Sequence, residues 1–250
     1  TTDAGATFST ATGVDLAADV GAIISPVKFL DAASIISTYY SYNIGDYVFV
    51  ESTNAGASFS SSDIETAGNV GGYNDLKVLD ASTYMGCYRD QGVGTLRFSK
   101  TTNSGSSWTT TLVDGVGLQG RQCSIDVVNA STVYISAGSD STNDLYFYAS
   151  TDGGDTWSRT SVSLEAERAR YTTIASTNSG NTIYISYHLN SGSAVKFAKS
   201  TNAGTSWTVS TIQANGLYTS MTAFGSTVYV GWMNETASDI RMAKSIDGGD

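Results

Sequence analysis

The chain has 250 residues, 26 of them glycine, with 40% hydrophobic and 14% charged residues. That length suffices for one large domain with a substantial core, and abundant Ser, Thr, Val and Tyr beside sparse Glu, Lys and Leu point to β structure. Acidic residues number 23 against 13 Lys plus Arg, and the formal charge of -10 repels phosphate backbones, which excludes nucleic acid as a partner.

One pattern organises the sequence in chain order: a small hydroxyl residue, x, Asp or Asn, x, Gly, x, Ser or Thr, then an aromatic. Full copies span Thr1 to Phe8, Ser52 to Phe59, Thr101 to Trp108, Ser150 to Trp157 and Ser200 to Trp207. A sixth copy, from Ser245 to Asp250, stops before its aromatic. The acidic or amide positions are Asp3, Asn54, Asn103, Asp152, Asn202 and Asp247, spaced 51, 49, 49, 50 and 45 residues apart. Each position has a physical task. Asp or Asn accepts hydrogen bonds from amides just ahead of it, Gly permits positive φ, and Trp108, Trp157 and Trp207 open the next strand as wedges between sheets.

Between these turns each period predicts three more strands. In the third period they cover Gln122 to Val128, Thr132 to Ala137 and Leu145 to Ala149, with Ser158 to Val162 following the turn. The second strand recurs at Thr83 to Tyr88, Thr182 to Tyr187 and Thr227 to Trp232. Four-stranded units of about 50 residues, repeated radially, make a β-propeller, with approximate blades 20–63, 70–113, 120–162, 169–212 and 217–250 plus 1–14. In this arrangement Thr7 to Thr12 pairs with Ile240 to Lys244 and closes a five-bladed ring; the alternative is a fragment of a six-bladed one.

The repeated turn resembles the Asp box, or bacterial neuraminidase repeat, of sialidases and other secreted propellers. The resemblance covers essentially the whole chain. It implies an all-β propeller of sialidase type, with the boxes joining the third and fourth strands on the face away from the active site. It also implies an extracellular location, secreted or at the cell surface. No stretch of the sequence reaches the ~18 apolar residues of a membrane span, and Thr1 to Ala11 lack a signal-peptide pattern, as expected of a mature secreted chain or a domain of something larger.

Opposite the boxes, two columns of side chains meet at the top of the ring. Strand starts supply Tyr73, Gln122, Tyr171 and Tyr218, with Arg121 and Arg170 just ahead of two of them. The ends of second strands supply Tyr39, Tyr88, Tyr187 and Trp232, followed by Arg89 and His188. Aromatic rings beside arginines suit sugars, so the expected ligand is a glycan or another extracellular molecule, bound by a monomer.

The sialidase resemblance further implies a Tyr nucleophile paired with Glu and an Asp acid/base. Tyr218-Thr-Ser-Met resembles the strand start that carries the nucleophile, while Glu165 and Asp90 are the candidate carboxylates. The Arg-Ile-Pro signature of that family is absent and Glu165 falls between Arg121 and Arg170. The leading expectation is therefore a carbohydrate-recognition module, with an exo-sialidase or related glycosidase and a structural domain of an adhesin as alternatives. Cys87 and Cys123 are either two small buried residues or one disulfide; with the lone His188 they make no zinc site. No phosphate loop or metal spacing appears, and no cofactor or metal is expected.

Overall fold

The computed structural model describes residues 26–116, 119–163, 169–190 and 194–249, with only the backbone of 119–121. Every sheet is antiparallel and follows chain order from strand to strand. The first contains β1 (Val27–Phe29), β2 (Ile35–Ser41), β3 (Asp46–Ser52) and β4 (Ser60–Glu65). The second contains β5 (Val70–Val78), β6 (Tyr84–Asp90), β7 (Thr95–Thr101) and β8 (Thr109–Asp114). The third contains β9 (Gln119–Val127), β10 (Val133–Ser139), β11 (Leu145–Ser150) and β12 (Ser158–Ser163). The fourth contains β13 (Ala169–Thr177), β14 (Thr182–Leu189), β15 (Val195–Ser200) and β16 (Thr208–Gln213). The fifth has three strands among the described residues: β17 (Gly216–Phe224), β18 (Thr227–Asn234) and β19 (Asp239–Ser245). Thr7 to Thr12, the expected fourth strand, lies outside the described residues, as does Asp3.

β1, β5, β9, β13 and β17 surround one channel of about 550 Å³, so the five sheets are the blades of a propeller. An inner strand has one unpaired edge, which must be satisfied by something other than a fifth strand. Side chains of the preceding blade serve. Asp75 accepts hydrogen bonds from the Ser124 hydroxyl (3.0 Å) and the Ile125 amide (3.1 Å). Asp126 accepts from the Ser176 amide (2.7 Å) and hydroxyl (2.6 Å), and the Ile174 amide donates to Ser124 Oγ (3.3 Å).

The repeated turns carry the hydrogen bonds that their sequence demands. In the turn after β7, Asn103 Oδ1 accepts from the Thr101 hydroxyl (2.8 Å) and the Ser107 amide (3.0 Å), while Thr101 Oγ1 accepts the Gly105 amide (3.1 Å). Asn54, Asp152 and Asn202 repeat this scheme, and Asp247 accepts from Ser245. A further bond runs from each turn to the first hairpin of its blade, as in Ser104 N–H to Ser82 O at 2.9 Å and Ala203 N–H to Asn181 O at 2.9 Å. The turns therefore share the end of the propeller that holds the first hairpins.

Packing between blades is equally periodic. Phe49, Phe98, Phe147 and Phe197 occupy one position of the third strand, each beneath the turn glycine of the next blade: Gly105, Gly154, Gly204 and Gly249. Trp108, Trp157 and Trp207 lie against the first three of these rings, with centroids 5.2–5.4 Å apart. A second position links neighbouring blades near the channel. Thr38 donates to Asn74 Oδ1 (2.9 Å), and Ser136 and Thr172 share a hydrogen bond of 2.7 Å. Between those two pairs, Cys87 and Cys123 form a disulfide. Of the two expectations for these cysteines, the bonded one holds, and both are buried.

Second strands run two residues beyond their expected ends, to Asp90, Ser139, Leu189 and Asn234. Their connections to the third strands are short, so the ladder continues and places Arg89 and His188 in strand rather than loop.

Candidate functional site

The channel opens between blades at the end opposite the repeated turns, where inner strands begin. Tyr73, Gln122, Tyr171 and Tyr218 stand there at equivalent positions, with φ of 53°, 60°, 49° and 55°. Side-chain-bearing residues avoid this left-handed region at a cost of about 1–2 kcal/mol each. Register shifts in the ladders of their strands, such as those between Arg170 and Thr173 and between Leu217 and Ser220, mark each as a β-bulge. The strain recurs in four blades, so it belongs to the blade design. Its consequence is local: Tyr73, Gln122 and Tyr171 line the channel mouth.

Between blades 4 and 5 the bulges bring three rings together. Tyr171 stacks on His188 at 5.1 Å and 17°, and meets Tyr218 edge-on at 4.5 Å and 75°. His188 and Tyr218 are 6.0 Å apart. The backbone of Tyr171 is fixed from both sides: its amide donates to Gln122 Oε1 (2.7 Å) and its carbonyl accepts from Thr219 Oγ1 (2.7 Å). Tyr218 is 51% exposed, whereas His188 is 2% exposed. Arg170 is directly across the ladder from His188.

Burial, and secondarily the Arg170 charge, depress the His188 pKa to about 4. The imidazole is therefore neutral at pH 7. Among the described residues, its Nδ1 and the buried Arg170 Nε have no hydrogen-bond partner. The depressed pKa has a thermodynamic sign. Unfolded His titrates near 6.5, so as pH falls from about 6.5 to about 4 the unfolded state takes up a proton that the fold refuses. Folding should lose up to about 3 kcal/mol over that window through His188 alone. Urea midpoints followed from pH 7 to 4 should fall more steeply for the wild type than for His188→Gln; parallel slopes would contradict the assignment.

Other expected site residues are placed differently. Tyr88, Tyr187 and Trp232 are buried between blades rather than presented at the mouth, and Tyr39 is buried against Val48 and Val50 of its own blade. Both faces of a propeller sheet are covered, so strand alternation carries no sign of which aromatics reach solvent. The Tyr88 hydroxyl donates to Glu65, which also pairs with Arg97 at 2.7 Å. Asp114 repeats that arrangement one blade later, accepting from Tyr148 (3.0 Å) and pairing with Arg159 (2.9 Å). Two copies of one carboxylate–Tyr–Arg network mark it as a structural joint. Sequence reasoning missed it, although Glu65 and Asp114 recur at the ends of successive fourth strands.

Arg89 pairs with Asp140 of the next blade at 3.3 Å, and so is engaged between blades 2 and 3. Asp90 Oδ1 accepts the amides of Gly92 (2.9 Å) and Val93 (3.3 Å), so this carboxylate caps a turn. The Arg121 side chain and Glu165 lie outside what is described. Gln122 acts through the Tyr171 amide as a positioning residue. Among the described residues no group of three His, Cys, Asp or Glu side chains could hold a metal, and no helix is long and apolar enough to cross a membrane.

No protein-family model matches the chain, and no curated protein matches it in sequence. Solved structures do. The GH74 xyloglucanase from Xanthomonas campestris superposes with a TM-score of 0.60 at 17% identity, over 90% of this chain and 37% of that one. An α-L-arabinofuranosidase from Fusarium graminearum gives 0.60 at 14% identity, over 93% of this chain and 79% of that one. A Hadza microbial sialidase gives 0.54 at 11% identity, over 86% and 52%. The fold is that of the sialidase-like β-propellers. This propeller spans about a third of the xyloglucanase and half of the sialidase, and at these identities the likeness concerns the fold alone. Within it, Tyr171, His188 and Tyr218 form one ring cluster, with Arg170 across the ladder from His188.

Proposed function

We propose that this propeller recognises carbohydrate at the mouth of its channel, through Arg170, Tyr171, His188 and Tyr218. The observation that carries the reading is the three-ring cluster, held by Gln122 and Thr219 and ending in a half-exposed tyrosine. Sugars present C–H faces that stack on aromatic rings and hydroxyls that need convergent donors and acceptors. Arg170 supplies donors and the tyrosine hydroxyls supply both, while buried His188 supports the Tyr171 ring by stacking on it. That several of the structural neighbours are named for activity on carbohydrates supports the same reading.

Glycan-array and calorimetric binding should locate a ligand, and Tyr218→Ala should weaken it about 10-fold or more, the equivalent of one lost stacking platform at about 1–2 kcal/mol. An unchanged Kd in Tyr218→Ala would refute the site. A second reading, glycoside hydrolysis with Tyr218 as nucleophile, is favoured by the exposure of that side chain at the mouth. Release of free sugar from a fluorogenic sialoside, abolished in Tyr218→Phe, would establish it; binding without release would leave recognition as the activity. The Cys87–Cys123 disulfide supports placement in an oxidising, extracellular setting.

A further inference from the structure

Two segments of the chain carry the Asn-x-Ser/Thr signal of N-linked glycosylation: Asn129-Ala-Ser131 and Asn234-Glu-Thr236. The fold treats them in opposite ways. Asn234 closes β18, is 4% exposed, and accepts the Ala237 amide on Oδ1 at 2.8 Å. A sugar on that side chain would displace the groups packed around it. Asn129 lies in the turn between β9 and β10, where both it and Ser131 are exposed.

The same turn occurs in three blades, which separates what the turn needs from what Asn129 adds. Asp31 Oδ1 accepts the amides of Ala33 (2.7 Å) and Ser34 (2.8 Å), and Asp80 Oδ1 accepts those of Ser82 and Thr83, both at 2.8 Å. Asn129 Oδ1 accepts the amides of Ser131 (2.9 Å) and Thr132 (2.8 Å). One side-chain oxygen closes the turn in every case, so a carboxylate suffices. Asp80-Ala-Ser-Thr83 and Asn129-Ala-Ser-Thr132 differ only at that first position. What Asn129 adds is Nδ2, a donor that the turn does not use.

The turn also has a definite place on the propeller. The Gly153 amide donates to Ser131 O at 2.8 Å, so this hairpin belongs to the end that holds the repeated turns. A bulky group there leaves the channel mouth open.

We propose that Asn129 is an acceptor for an N-linked glycan, presented by the first hairpin of blade 3. In the transfer, Nδ2 forms a bond to C1 of an oligosaccharide carried on a lipid diphosphate. The C1–O bond breaks, the diphosphate leaves with its electron pair, and Nδ2 gives up one proton. The inference rests on the extracellular placement that the Cys87–Cys123 disulfide supports, and it is independent of what the channel mouth binds.

The full chain, secreted from a eukaryotic host, should carry one glycan. Peptide-N-glycosidase should remove it and convert Asn129 to Asp, as peptide mass spectrometry reads, with Asn234 unmodified. Ser131→Ala should abolish the glycan while keeping Asn129 and its turn. Asn129→Asp should abolish it as well and leave the thermal midpoint unchanged, because Asp80 closes the equivalent turn. Asp80→Asn should add a second glycan, on blade 2. Folded, secreted protein with Asn129 bare, or with its glycan on Asn234, would overturn the proposal. A glycan on Asn129 that survives Ser131→Ala would overturn it too, as would Asp80→Asn without a second glycan.

Discussion

Gly204→Ala is expected to lower folding stability by about 3 kcal/mol or more, while the same change at Gly56 should cost about 1 kcal/mol. Both glycines occupy the same place in the repeated turn, and both have φ of +84°. The conformational penalty for adding a Cβ is therefore shared. What differs is the space. A Cβ at position 204 would lie 2.1 Å from Phe147 Cε1, whereas at position 56 the nearest atom is Ile35 Cδ1 at 3.7 Å, an ordinary contact. Phe147 has no room to retreat, because Trp207 and Tyr134 pack on it with ring centroids 5.2 Å away on each side. Overpacking of this kind adds about 1–3 kcal/mol to the backbone term. Urea unfolding of the two variants provides the comparison. Equal losses would mean that the glycines serve the turn alone and that the clamp on the neighbouring blade contributes nothing.

Removing the disulfide with Cys87→Ser and Cys123→Ser should cost about 4 kcal/mol, the chain-entropy value for a loop of this length. The cysteines are 36 residues apart in sequence and join blade 2 to blade 3. Their position identifies what can replace them. Thr38 with Asn74, and Ser136 with Thr172, link the adjacent blade pairs at the equivalent place. Cys87→Thr with Cys123→Asn should therefore recover about 1 kcal/mol of the loss, the net worth of one buried hydrogen bond. Reduction of the wild type should match the serine variant. Unchanged stability once both thiols are shown to be free would contradict the account.

Much of the architecture was legible because the turn needs specific residues. Asn103 and Gly105 have hydrogen-bonding and φ requirements that few other residues meet, so a recurring motif fixed the period and the blades. The phenylalanine column beneath the glycines was present in the sequence with the same period, yet a buried Phe has no signature that distinguishes one neighbour from another. The site was harder. The starts of inner strands set Tyr73 and Tyr171 along the channel, with Tyr218 against Tyr171. The ends of second strands do not reach it, because Tyr88 and Tyr187 sit in sheets covered on both sides. Arg89 is engaged by Asp140, a residue 51 positions away whose proximity only the stacking of blades reveals. The disulfide was ambiguous for the same reason.

Backbone amide NMR titrated with oligosaccharides tests the central claim most directly, that the cluster between blades 4 and 5 is where this propeller meets its ligand. The account predicts saturable shifts at Arg170, Tyr171, His188, Tyr218 and Thr219, with the turn from Ser200 to Trp207 silent at the opposite end. Shifts centred on the repeated turns, or on the outer strands β4, β8 and β12 with the mouth unmoved, would contradict it.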